Sequence, residues 1–202
     1  MAEAIESKKL YHVTVGTLYK AALTANQVLN IGASVNPYFG FYENAREYPI
    51  TENGNVVHVK ALAWLKHVRA GTINPASPQI LATIAAEVAQ HYVMLARELI
   101  MEELRISEFQ EDPPSRQRCL YVAETIEGAR RWKTMVGGGT ICELTCTGSA
   151  HRADANLLLE DSEPLSVTRD RARRYWRGEI GADPLLETLF VGKATVTAFD
   201  LT

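Results

Sequence analysis

Cysteine is scarce in this sequence: 202 residues hold three, Cys119, Cys142 and Cys146. An odd set without zinc-type pairs offers neither a disulfide framework nor a metal-ligand pattern, and Cys142 and Cys146 flank a strand-like run rather than a metal-binding turn. All three are expected to be reduced, mostly buried thiols, and no metal site is expected. Charge of one sign is lacking as well. A formal net charge of -3 gives no general attraction to nucleic acid, leaving only a local basic face open. No apolar run reaches membrane-spanning length and Met1 to Lys9 is polar, so neither signal peptide nor membrane anchor is read. The expected location is the cytoplasm, or a target cytoplasm reached through a dedicated secretion machine. Internal repeats and low-complexity tracts are missing too, which argues against solenoids and arrays.

What is present is ordinary globular material. Hydrophobic residues make up 47% and charged residues 22%, and the length suits one domain, or one domain with a helical insertion. Residues 10 to 15 alternate β-branched and aromatic side chains and predict the first core strand. Asn36 to Tyr42 concentrates aromatics with Pro and Gly and reads as a loop presenting rings. Lys60 to Ala70 reads as a short helix ended near Gly71. Ser77-Pro78 then offers an N-cap and a first-turn proline for a long helix to about Arg105. Its expected buried stripe is Ile80, Leu81, Ile84, Val88, Tyr92, Leu95, Leu99 and Leu104, with Glu98, Glu102, Glu103 and Arg105 as the solvated end.

The loop 111–115 marks the main organisational boundary. Beyond it the pattern predicts a strand over 118–123, a helix over 125–135, a glycine turn at 137–139 and a strand over 140–146. Ala155 to Leu159 is a short strand or buried turn. Ser166 to Arg177 is a charged helix, whose arginines Arg169, Arg171, Arg173, Arg174 and Arg177 read as a solvated face. Residues 187–199 are the last strand. Trp132 and Trp176 read as core anchors.

Three pieces together resemble the ADP-ribosyltransferase superfamily, in its branch built on histidine, tyrosine and an acidic residue. Leu10-Tyr11-His12-Val13-Thr14 is similar to the opening strand that places a histidine at the NAD site. Arg118-Cys119-Leu120-Tyr121-Val122-Ala123-Glu124, with Ala129 and Trp132 following, is similar to the strand and helix that bring a tyrosine onto nicotinamide. Asp183 to Gly192 resembles the acidic motif entering a late strand, with Glu187 as its carboxylate. The likeness covers residues 10 to 15 and 115 to 199. Val13 stands where the family has glycine, and Leu185 where the arginine-modifying subgroup has a second acidic or amide residue. The implied fold is α+β, an ADP-ribosyltransferase-like split β-sheet core in a single domain over 1–202, with a mainly helical insertion at about 58–110.

The resemblance implies NAD as co-substrate, Glu187 as the catalytic residue, and His12, Thr14, Tyr121 and Arg116 as cofactor contacts. Each has a plainer alternative. Glu187 stabilises positive charge developing at the ribose, or is a strand-edge glutamate in water. Tyr121 stacks on a cationic ring or is packed on the second face of its strand. His12 bonds a ribose or is a satisfied core histidine, with Thr14 on the same side of the strand. Arg116 meets a pyrophosphate or makes a surface salt bridge. The implied function is mono-ADP-ribosylation of a macromolecular acceptor, protein or nucleic acid, by a bacterial toxin, effector or phage-conflict protein with an inhibitor or antitoxin partner and no membrane partner. The alternatives are a catalytically silent nucleotide- or protein-binding module, and an NAD glycohydrolase.

Overall fold

The computed structural model describes residues 2–15, 23–52, 54–110, 112–158 and 163–199. Within them the chain is α+β and divides into two compact units, one of residues 1–41 with 97–202 and one of residues 42–96. The loop read as the main boundary lies inside the first unit; of its residues, Glu111 is outside the described set, as are Met1 and Leu159.

The first unit is built on antiparallel strands. β1 (Glu3–Thr14) pairs with β6 (Thr140–Asp154), β6 pairs with β7 (Leu186–Phe199), and β7 receives β5 (Leu120–Val122) and β2 (Val28–Ile31) end to end on its other edge. Tyr11 and Ala123 then exchange two backbone hydrogen bonds of 2.8 and 2.7 Å. This bridge ties β1 to the end of β5, so the series of pairings returns to its start. Strands 140–146 and 187–199 were expected; β6 runs eight residues further, to Asp154, and β1 begins seven residues earlier, at Glu3. The early part of β1 is charged because its side chains are largely exposed, and a register shift between Ile5 and Lys8 accommodates Ser7 at φ 50.

Both faces of this sheet are covered by apolar packing. Leu10, Leu120, Val122, Leu144, Phe190 and Val196 belong to one cluster. Met101, Leu104, Tyr175, Trp176 and Leu189 belong to a second, brought together from α3 (Pro78–Phe109), α5 (Leu165–Trp176) and β7. A smaller cluster seats Ala129 of α4 (Ile126–Met135) on Ala123 and Ile141, with Tyr11 and Val13 alongside. Thr125 caps α4 by accepting the Gly128 N–H at 3.1 Å. The three thiols are free and buried.

Asn36 to Tyr42 is not a loop. It lies largely in α1 (Pro37–Glu43), because Asn36 caps the Phe39 N–H at 2.9 Å and Pro37 supplies the preset φ of a first helical residue, which outweighs the one internal glycine. The second unit contains the hairpin β3 (Glu47–Glu52) and β4 (Asn55–Lys60), α2 (Ala61–Arg69) and the first part of α3. Helix α2 ends as expected, with Gly71 at φ 71. Ser77 accepts the Ile80 N–H at 3.3 Å and Pro78 opens α3.

The stripe expected along α3 requires correction. Val88 and Leu104 are buried, whereas Ile80, Tyr92 and Leu99 are exposed. In its last part the helix buries Arg97, Glu98, Met101, Leu104 and Arg105, a face that recurs at three and four residues but is partly charged. Glu98 and Arg105 are therefore not solvated. Among the described residues, no helix is long and apolar enough to cross a membrane.

Candidate functional site

A cavity of about 520 Å³ opens in the first unit. Its size suits a drug- or nucleotide-sized ligand. Four residues nominated from the sequence line it: His12 of β1, Arg116 of the turn before β5, Tyr121 of β5 and Glu187 of β7. Thr14 is not among the lining residues; its hydroxyl donates to the Thr140 carbonyl at 3.2 Å on the neighbouring strand. Trp132 lines the cavity and donates its indole N–H to the Leu186 carbonyl at 2.7 Å, while Trp176 is fully buried.

An ion network contributes Arg97, Arg116 and Glu187 to the cavity lining. Glu98 accepts from Arg97 (Nε at 3.3 Å, Nη2 at 3.0 Å) and from Arg116 (Nε at 2.9 Å, Nη2 at 3.3 Å). Arg116 also donates to the Tyr175 hydroxyl at 2.7 Å and to Glu187 Oε1, and Tyr175 donates to the same oxygen at 2.6 Å. Two guanidinium groups thus balance two carboxylates. Arg97 reaches further, to the Leu158 carbonyl and the Tyr38 hydroxyl. The plainer alternatives change accordingly: Arg116 does make salt bridges, but buried ones, and Glu187 is not in water, the residues being 4% and 5% exposed. A partly neutralised, multiply hydrogen-bonded pair survives burial where an isolated charge would not.

Aromatic rings frame the arginine. The Arg116 guanidinium sits 5.1 Å from the centroids of both Tyr121 and Tyr175, and Tyr38 meets Tyr121 edge to face at 5.5 Å. Alternation explains the placement of Tyr121. Leu120 and Val122 enter one apolar cluster and Tyr121 packs against the other, with its hydroxyl donating to the Arg116 carbonyl at 2.9 Å. Asn36 fastens α1 to the same turn by donating to the Arg116 and Cys119 carbonyls at 2.7 and 2.9 Å.

Electrostatics fix the protonation of this cluster. Burial acts to strip the Arg116 proton, but Glu187 and Glu98 outweigh it and hold the guanidinium firmly charged. Burial likewise works against Glu98, and the Arg116 and Arg97 charges reverse the effect, keeping its carboxyl below the usual range. Burial pushes the Tyr121 and Tyr175 phenols well above their ordinary value, so both stay protonated donors. His12 is lowered from its ordinary 6.5 by burial, opposed by its Nδ1 contact with the Tyr121 carbonyl at 2.8 Å. The Cys119 and Cys146 thiols are pushed up by burial, Cys146 to about 12, which removes them as thiolate nucleophiles at neutral pH.

Sequence reading missed Arg97, Glu98 and Tyr175 as site residues, and had Tyr38 only as one ring of the aromatic segment 36–42. For the first two a signal existed: adjacent opposite charges at the step where Leu95, Ile100, Met101 and Leu104 should bury the helix. The arginines of α5 form ion pairs with Glu103, Glu163, Glu108, Asp170 and Glu179, as a solvated face should.

Fold and site together define an α+β protein with a ligand-sized cavity lined in part by a charge-balanced arginine–glutamate–tyrosine network. Residues 10–200 match the family model described as "Protein of unknown function (DUF2441)", and the chain belongs to that family. No curated protein matches it.

Proposed function

We propose that the cavity binds NAD and that the protein transfers ADP-ribose from it to a macromolecular acceptor. One observation carries the reading: His12, Arg116, Tyr121 and Glu187, nominated separately from motifs up to 175 positions apart, line the same cavity. The α+β architecture, with antiparallel strands carrying three of the four residues, is compatible with that reading. The residues present fit such a ligand. Tyr121 offers an aromatic face, His12 a neutral imidazole, and Glu187 a carboxylate whose Oε2 carries no hydrogen bond from the described residues.

In this reading the nicotinamide–ribose bond breaks, the bond from ribose to an acceptor atom forms, and the acceptor loses a proton. Glu187 would stabilise positive charge developing at the ribose, and Arg116 and Tyr175 would hold its carboxylate in place. The same residues suit hydrolysis if water replaces the acceptor. A second reading, a binding module without turnover, is favoured by the commitment of Glu187 Oε1 to both Arg116 and Tyr175.

Nicotinamide release from NAD, with and without cell lysate as a source of acceptors, separates these readings. Turnover by the wild type that falls about 100-fold or more in Glu187→Gln is expected, in line with loss of a positioned electrostatic group. Circular dichroism and thermal melting check that the variant is folded. Release without lysate indicates hydrolysis, and NAD binding without any release indicates the silent module.

A further inference from the structure

Among the described residues, the charged ones lining the cavity are Arg97, Arg116, Arg118 and Glu187. Arg97 and Arg116 are already balanced by Glu98 and Glu187 and have almost all of their N–H groups engaged. A ligand anion therefore gains little from them. Arg118 differs: it is exposed, it donates from Nη1 to the Ala33 carbonyl at 3.3 Å, and among the described residues it has no carboxylate partner. That contact lays it against the segment Gly32–Val35, which leads from β2 toward α1 and lines the cavity beside it. Ser34 is exposed there, and among the described residues neither its hydroxyl nor the main-chain N–H groups of Ser34 and Val35 donate to a protein acceptor. An unbalanced guanidinium beside spare N–H and O–H donors, at the rim of a mostly apolar cavity, is the chemistry that recognises a phosphate.

We propose that Arg118, with the Gly32–Val35 segment, is the anion-binding end of the cavity and holds the phosphate groups of the ligand, the role that sequence reading gave to Arg116. The identity of that ligand as a dinucleotide rests on the NAD reading; the anion site does not. An exposed guanidinium attracts a phosphate through a screened, salt-sensitive interaction strengthened by paired hydrogen bonds.

Isothermal titration of the full chain with ADP-ribose, AMP, inorganic pyrophosphate and nicotinamide tests this in the wild type, Arg118→Ala and Arg118→Lys. The expected result is that Arg118→Ala weakens ADP-ribose and pyrophosphate about tenfold and flattens their salt dependence. Arg118→Lys should recover part of the loss, and nicotinamide, which has no phosphate, should be unaffected. Unchanged affinity of Arg118→Ala for the phosphate-bearing probes overturns the proposal, as does failure of all of them to bind the wild type. Arg118-dependent binding of pyrophosphate or AMP with neither binding of NAD nor nicotinamide release from it would sink the NAD reading and leave the anion site standing. Nicotinamide release with normal phosphate binding in Arg118→Ala would do the reverse.

Discussion

Burying Glu98 removes a full charge from water, and four hydrogen bonds from the guanidinium groups of Arg97 and Arg116 offset that loss. Replacing it by glutamine keeps the shape and removes the charge, leaving Glu187 as the one carboxylate between two buried arginines. Glu98→Gln should therefore lose about 3–5 kcal/mol of stability, the scale of a broken buried ion pair, read from the urea midpoint with an unchanged slope. A loss of a few tenths would mean that water reaches the network. The same residue marks where sequence reading stops. His12, Tyr121 and Glu187 were legible because motif and strand alternation place them. Glu98 was not, because a glutamate on a helix is exposed by default; burial depended on Arg116, eighteen positions later, and no local pattern encodes that pairing.

Elements were legible where one local signal dominated. Thr125 and Ser77-Pro78 start their helices where their chemistry says, and the alternation of 187–199 yields β7 within a residue. Other elements were read short or missed. β6 runs past its expected end at residue 146 and through Gly148, which is a crossing point. Gly148 pairs with Gly192 of β7, at φ 156 and 134, and a side chain on Gly192 would lie inside contact distance of the Thr147 carbonyl oxygen and 2.8 Å from the Gly148 Cα. The strands approach too closely there for any Cβ. Hairpin β3–β4 was overlooked although Asn53-Gly54 is a hairpin signal in the sequence, with Glu52 paired to Asn55 across it. Gly192→Ala should cost more than the about 1–3 kcal/mol of a strained backbone residue, because clash adds to strain. Gly137→Ala is the control: φ is 77 but nothing lies within 4 Å of the added methyl, so strain alone is expected. Equal melting temperatures for the two variants would refute the crossing-point argument.

The two units differ in how their stability can arise. The first is assembled from both ends of the chain: Glu3 pairs with Ala150, and β6 and β7 share a ladder from Cys142–Phe199 to Asp154–Leu186, with apolar clusters on both faces. Opening that ladder exposes both clusters at once, so its amides should exchange only through unfolding of the whole unit. The second unit contains a two-stranded hairpin whose side chains alternate between exposed and half-buried, a type of sheet that is marginal without a covered face. Sequence reading took the chain as one domain from its length; the division at 97 falls inside a continuous helix, where no loop signal marks it. Native-state hydrogen exchange should therefore give the slowest amides at the buried centre of the first unit, Leu144 and Val196, with protection equal to the global unfolding free energy. Amides of β3 and β4 should exchange faster by local opening, and their rates should be insensitive to Glu98→Gln while those of β6 and β7 rise with it. Acceleration of both sets by the same factor would mean that the units unfold together and that the ion network stabilises the entire chain.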